Sequence, residues 1–583
     1  MRSIVMVPDD SPWTRRRPTC ELSVDGTSGC GTCPGRAATV QRVSSPRTDT
    51  ISVQPGLGAT SVRDRLRAVP TGVRVAVVRT PELTIAAFGV VVAAAFAWVP
   101  SLWYDEAATV TSARRTWPEL WAELHSVDAV HGFYYALMHV WFWLVGYTPF
   151  TLRFPSALAI GVAAGLVVAL GRRLGGRRLG IVAGLVFIAL PRVQWAGTEG
   201  RSYATITTLA VCLTLVGMTA VRRTRTGRSL HWWVAYGVLA VVAVVLNVYL
   251  ALAVAAHGVS FLWTMWADRR ARTARPLVPG GALLRWAIVS AVVLVAVAPF
   301  VAEVVSQSKQ VGWLGPIGPR TFPQVFSTAW FGGVELYAAV AWALMVLGSA
   351  TALVAAHRSS ATVRSLFRAQ AVRVALPLVV LPTLALLLAT AMGKHLYTPK
   401  YASLSLPFVA LLIALGLTLV RRRAALAAVL AGALLLSVPT AVTVKLPRAK
   451  QDSTWAVAAS IISSERSAHH DRDEGVVFGS VYGHPGATAD IIRVSYPAAF
   501  AGMTDLGVRK DGAASGVLWN QTGDLESNIP NRLADIDTVW FVGGTVKARN
   551  IQPETARILA QHGFTAAEHW KTGTVVLTEY VRR

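Results

Sequence analysis

Long apolar runs, separated by short arginine-rich stretches, occupy the chain from residue 83 to residue 444. A helix that crosses a bilayer needs about 20 apolar residues. Eleven segments meet or approach that length, roughly 83–101, 153–171, 179–197, 203–221, 231–247, 248–266, 285–305, 333–356, 373–392, 402–420 and 424–444. The stretch 231–266 is too long for one crossing and splits near Asn247 and Tyr249. Ahead of these runs, residues 1–80 are polar, rich in Arg, Ser, Thr, Gly and Pro, and show no sustained period, which predicts a disordered tail. After them, 446–583 has an ordinary soluble pattern. Residues 476–478, 538–542 and 574–577 read as strands, and 452–466 and 553–563 as amphipathic helices. The pattern predicts a mainly α, polytopic membrane protein of about 11 transmembrane helices over 81–445, followed by a small α/β domain at 446–583. The strand order of that domain is not legible.

One aromatic segment, 131–146, is short for a crossing, and aromatic rings favour the membrane interface. Charge decides its placement. If it does not cross, the loops between spans on the side of the N-terminal tail carry twenty Lys and Arg, against nine on the opposite side. If it crosses, the arginine-rich loops fall outside, against the positive-inside rule. It is therefore expected to be an interfacial helix in a first outer loop at 101–152. The tail is then cytoplasmic, and the C-terminal domain lies outside a multi-pass cell-membrane protein.

Composition narrows the class. Of 583 residues, 53% are hydrophobic and 15% charged, whereas a soluble domain carries about 25% charged residues. An ordinary cytosolic enzyme, a disordered chain and a disulfide-stapled module are excluded. The net charge of +25 suits the loops that set membrane orientation, so nucleic acid is not needed to explain it. Cys30-Gly-Thr-Cys33 lacks a second ligand pair, which argues against zinc.

The candidate chemistry gathers in the outer loops. Trp103-Tyr104-Asp105-Glu106-Ala107 follows the first span, and two adjacent carboxylates at an apolar helix end are costly to desolvate. A carboxylate held there can take a proton from a hydroxyl nucleophile as a general base. His131, Tyr134, Arg153, Glu199, Arg201, Tyr203, Tyr397, Lys400 and Tyr401 lie at the same expected depth. Cations converging there suit a lipid phosphate. His131 and His139 without a matching carboxylate spacing do not make a metal site.

Taken in order, five pieces resemble the GT-C-fold glycosyltransferases that use polyprenyl-phosphate sugars. They are Tyr104-Asp105-Glu106-Ala107, His131-Gly-Phe-Tyr-Tyr135, Arg153-Phe-Pro-Ser156, Glu199-Gly-Arg201-Ser-Tyr203 and Tyr397-Thr-Pro-Lys400-Tyr401. The resemblance covers about 83–445 and is to the group that includes protein O-mannosyltransferases and the aminoarabinose transferase of lipid A. The Ala- and Arg-rich sequence looks actinobacterial, similar within that group to mannosyltransferases that elaborate lipoglycans from decaprenyl-phosphate mannose. The resemblance implies an inverting transfer to a glycan or lipoglycan acceptor on the outer face. Asp105 matches the catalytic carboxylate and Glu106 its partner. Arg201 and Lys400, with His131 and Tyr401, would bind the donor phosphate, and Tyr104, Tyr134, Arg153, Glu199, Tyr203 and Tyr397 are candidate substrate contacts. The chain departs from the pattern at Lys400, where relatives often carry Arg. Many relatives work without a metal although some use one, so no cofactor is expected and a divalent metal is not favoured.

Three alternatives differ in what they require. An arabinosyl or other sugar transferase of the same fold uses the same residues. A transporter or flippase of lipid-linked precursors needs charged residues near mid-span, and the spans are nearly free of them. A membrane scaffold gives no reason for Asp105 and Glu106.

Overall fold

The computed structural model describes residues 80–272, 276–358, 362–468, 473–545 and 550–583. The tail expected over 1–80, with its cysteines, lies outside the described residues except for Thr80. Among the described residues eight helices are long and apolar enough to cross a membrane. They are Pro149–Gly175, Tyr203–Thr224, Val248–Arg270, Gly280–Ser306, Glu335–His357, Val363–Ala391, Pro399–Leu417 and Arg423–Thr443. A ninth span results if the bent pair Arg177–Ala189 and Pro191–Gly197 counts as one. Pro191 marks the 66° break, as expected of a residue that cannot donate the next helical hydrogen bond. The remaining two expected spans form shorter helices, Pro81–Ala94 and Leu230–Leu246. The apolar segments expected from the sequence therefore all form helices, but only eight have full spanning length on their own. The division near Asn247 falls where expected, because the Asn247 carboxamide accepts from Tyr249 N at 3.1 Å and ends one helix as the next begins.

The first helix, α1 (Pro81–Ala94), ends seven residues before the expected end of its span. Beyond it the backbone turns through Phe96, at φ 59°, and the buried carbonyls of this turn find a distant donor. Arg153 bonds Ala97 O and Pro100 O at 2.8 Å each and Ser101 O at 3.3 Å. Small residues allow α1 to lie close against the helix Pro149–Gly175. A Cβ added at Gly161 would sit 2.6 Å from Ala86 O, the close backbone approach that small residues permit between membrane helices.

Between these two helices the chain forms α2 (Tyr104–Ala113), α3 (Trp117–Ser126) and α4 (Gly132–Val145). Thr116 and Glu119 make a capping box at the start of α3. The aromatic segment becomes α4, too short to qualify as a span, and Trp143 is exposed on it.

The C-terminal unit is built on a five-stranded sheet. We number its strands β1 (Glu474–Phe478), β2 (Thr504–Asp505), β3 (Thr538–Gly544), β4 (Phe564–Lys571) and β5 (Val575–Arg582). Their spatial order is β2-β1-β3-β5-β4. β1 is parallel to β2 and β3, whereas β5 is antiparallel to β3 and β4. Alternation sets the two faces. Val476, Phe478, Trp540 and Val542 join Trp455 and Ile462 of the helix Trp455–Ala468 in an apolar cluster continuous with the membrane helices. Val477, Val539 and Phe541 face Ile529 and Ile558 on the opposite side.

Candidate functional site

Tyr104, Asp105 and Glu106 are the first three residues of α2, where unpaired N–H groups and the helix dipole favour acids. Successive helical positions point about 100° apart, so adjacent carboxylates meet different surroundings.

Glu106 turns inward. It accepts from Arg153 Nε at 2.8 Å, from Arg153 Nη2 at 2.5 Å and from Gly200 N at 2.8 Å. Both side chains of this ion pair are fully buried. Together with the three carbonyls after α1, these bonds occupy all five N–H donors of Arg153. Arg153 therefore has no donor left for a ligand, and Glu106 no open face. The expected substrate contact and catalytic partner are instead a buried clamp between α2, the turn after α1 and the 199–201 loop. Glu199 is similarly engaged, accepting from Lys450 Nζ at 2.5 Å and from Trp103 Nε1 at 3.2 Å. Burial raises the Glu199 carboxyl, with Lys450 acting against it.

Asp105 faces the other way. Its Oδ2 accepts from Lys400 Nζ at 2.9 Å, and the two side chains remain 18% and 17% exposed. Burial alone would raise the Asp105 carboxyl, but the Lys400 ammonium and the Arg201 guanidinium together hold it below the ordinary carboxylate range. It is ionised at neutral pH. Arg201 Nη1 donates to the Asp105 main-chain carbonyl at 3.1 Å and to Tyr135 OH at 3.0 Å. Tyr135 OH in turn donates to Asp128 Oδ2 at 2.7 Å. His131 lies beside Tyr135, with ring centroids 6.0 Å apart. Burial and then Arg201 hold its imidazole well below the ordinary value, so it is neutral at pH 7.

The other expected residues differ in their surroundings and access. Tyr203 packs on Trp195 at 5.1 Å, and Tyr401 on Tyr249 at 4.7 Å. Tyr397 lines a cavity of about 460 Å³ with Trp313 and Pro399, and the Trp313 ring lies 5.3 Å from Lys400 Nζ. Tyr134 is buried in the apolar core. Tyr104 meets the C-terminal unit, where Trp519 Nε1 donates to its hydroxyl at 3.0 Å.

Sequence reasoning missed Asp128, Lys450, His484 and Trp519. Asp128 gave no clear signal, and only the structure shows it in the left-handed region, at φ 59°, which Asp tolerates better than most residues. Lys450 gave none, because it reads as a polar residue at the start of a soluble domain, yet it is buried against the 199–201 loop. Among the described residues no group of three or more His, Cys, Asp or Glu is arranged to hold a metal ion. Chemically, the site offers the ionised Asp105 carboxylate with two cations beside it, a neutral imidazole, and a second carboxyl, Asp128, tied to Tyr135.

No family model matches the chain, and no curated protein matches it by sequence. Solved structures do. The crystal structure of ArnT from Cupriavidus metallidurans bound to undecaprenyl phosphate is similar with a TM-score of 0.53 at 14% identity, over 88% of this chain and 98% of that one. The fold is of the GT-C type. An oligosaccharyltransferase from Archaeoglobus fulgidus in the apo form gives a TM-score of 0.46 at 11% identity, over 87% of this chain and 75% of that one. The apolar helices and this GT-C likeness make the chain a multi-pass membrane protein. Within the GT-C fold, the Asp105–Lys400 pair lies where α2 of the first loop meets the start of the helix Pro399–Leu417.

Proposed function

We propose that this chain is a membrane glycosyltransferase that moves a sugar, mannose in the first instance, from a polyprenyl-phosphate donor to a cell-envelope glycan or lipoglycan, with inversion. The observation that carries the reading is Asp105, an ionised and accessible carboxylate bonded to Lys400 and flanked by Arg201. The GT-C likeness, and the undecaprenyl phosphate held by the ArnT structure, support a lipid phosphate as the donor's anchor. The charge asymmetry of the loops supports an extracytoplasmic site, with the N-terminus cytoplasmic and the C-terminal unit outside.

The chemistry follows from the charges. Asp105 Oδ2 accepts the proton of the acceptor hydroxyl, and the hydroxyl oxygen bonds to the anomeric carbon from the face opposite the phosphate. The bond from the anomeric carbon to the phosphate oxygen breaks, and its electron pair leaves on the phosphate. Lys400 and Arg201 stabilise the departing charge, and His131 can donate to it as a neutral ring. Lys400 has a second part in this scheme. While it holds Asp105 it weakens the base, and an arriving phosphate competes for the same ammonium, which releases the carboxylate for proton transfer.

Two outcomes test the roles. Lys400→Met removes the largest charge that lowers Asp105 and leaves burial, which raises it. The acid limb of kcat/KM then moves to higher pH, whereas in the unaltered enzyme it lies below the ordinary carboxylate range. An acid limb that does not move when kcat/KM is measured across pH counts against Asp105 as the base. Tyr135→Phe breaks the link from Arg201 to Asp128 and leaves the guanidinium less firmly aimed. The donor KM rises by about three- to ten-fold, the equivalent of one hydrogen bond of about 1 kcal/mol, with a smaller change in kcat. An unchanged donor KM contradicts that role.

A further inference from the structure

The α/β unit reaches the site through two rings. His484 stacks on Tyr104 with ring centroids 3.7 Å apart and planes 8° from parallel. Trp519 bonds the Tyr104 hydroxyl at 3.0 Å, its ring 5.2 Å away and tilted by 52°. Tyr104 directly precedes Asp105, and the charges of Asp105 and Lys400 both act on His484. The His484 ring is carried by a hairpin, Ser480–Val481 paired with His484–Thr488, that turns through Gly483 at φ 75°. No L side chain adopts that φ cheaply.

These rings are not needed to dock the unit. Docking is already provided by polar contacts elsewhere on the same interface. Arg115 Nη2 donates to Val517 O at 2.7 Å and to Leu518 O at 3.1 Å, and Glu123 holds that guanidinium at 2.6 Å. Leu102 N donates to Tyr496 OH at 2.9 Å, and Tyr147 OH to Ser495 O at 2.7 Å. Beneath them the apolar cluster runs without interruption from the membrane helices into the sheet. His484, by contrast, remains exposed at the hairpin tip, as does Tyr482 beside it. An exposed ring stacked face to face one residue from an accessible carboxylate adds little burial and much shape.

We propose that His484 and Trp519 form, with Tyr104, the wall that receives the acceptor's sugar ring, so that the α/β unit helps to set acceptor specificity. The proposal deepens the glycosyl-transfer reading and rests on it. A pyranose or furanose has C–H faces and hydroxyl edges. Its faces suit flat aromatic surfaces, and its edges need donors and acceptors. The wall supplies both. The His484 face that stacks on Tyr104 is shielded from solvent even though the hairpin tip is exposed, and this holds the imidazole below its ordinary value, so at pH 7 the neutral ring offers one N–H and one lone pair. The Trp519 bond fixes the Tyr104 hydroxyl and with it the ring plane. A hydroxyl on a sugar held there lies next to the carboxylate that takes its proton. A lipid-phosphate donor has no use for this wall, because its cations are on the Lys400 and Arg201 side.

The test uses the full chain in proteoliposomes, with decaprenyl-phosphate mannose as donor and octyl α-mannoside as the acceptor probe. His484→Ala and Trp519→Leu are expected to raise the acceptor KM by about ten-fold while the donor KM changes by less than about two-fold. His484→Phe keeps the stack and is expected to bring the acceptor KM back to within about three-fold of the unaltered enzyme. An unchanged acceptor KM in both the Ala and Leu variants overturns the proposal and leaves the glycosyl-transfer reading standing. Parallel rises in both KM values with a lowered melting temperature mark the rings as structural and also overturn it. If the unaltered chain transfers neither mannose nor arabinose from its polyprenyl phosphate, the underlying reading fails, and this proposal with it.

Discussion

Asp105→Asn leaves a folded, membrane-inserted protein that still binds donor and transfers sugar about 10²- to 10⁴-fold more slowly, the range a lost general base accounts for. Stability is little changed, for a physical reason. The Asp105–Lys400 pair keeps nearly a fifth of each side chain in contact with solvent, so the ammonium left behind can still be hydrated and the loss stays below the cost of breaking a fully buried pair, about 3–5 kcal/mol. Donor affinity is retained or improved, because Lys400 no longer has an internal carboxylate to hold. Kinetics with varied donor, alongside a thermal melt in detergent, separate these effects. A variant that melts normally and keeps full kcat removes Asp105 from the chemistry.

Glu106→Gln gives the opposite result one residue away. Arg153 is then left charged and without its counter-ion, where both partners have no solvent contact. Breaking such a pair by removing one partner costs about 3–5 kcal/mol, a large part of the margin by which proteins stay folded. Loss of monodisperse protein and a lowered melting temperature are expected before any kinetic effect can be read. Arg153→Met has the same outcome, and it also leaves the carbonyls of Ala97, Pro100 and Ser101 without their donor. The double variant Glu106→Gln with Arg153→Met recovers part of the loss, because neither charge of this pair is left buried without its partner. A Glu106→Gln protein that melts like the unaltered one contradicts the clamp.

The contrast between these neighbours marks where the sequence stops being legible. The membrane helices can be read because lipid imposes one simple demand, long apolar stretches whose backbone bonds close within the segment. Helix ends are harder. The first span is cut short because Arg153, more than fifty residues away, collects the carbonyls of the turn at Ala97 and Pro100. The motif Asp105-Glu106 announces two carboxylates, but their roles depend on which cation reaches each of them. Arg153 comes from 47 positions away and Lys400 from 295. No local pattern separates those cases. Lys450 shows the same limit from the other side, since only the folded chain brings it 251 positions back to Glu199. Three strands of the C-terminal sheet are legible as apolar runs. β4 is not, because most of its side chains are partly or fully exposed. The meeting of His484 and Trp519 with Tyr104 depends on tertiary docking alone.

The most direct measurement follows labelled mannose from decaprenyl-phosphate mannose in proteoliposomes of the full chain, beside its Asp105→Asn variant. The expected result is label in the acceptor with inverted anomeric configuration, an equal release of decaprenyl phosphate, and loss of nearly all of both in the variant. Release and transfer no greater than in Asp105→Asn, with both the mannose and the arabinose donors, would contradict the assignment of this chain as a glycosyltransferase acting through Asp105.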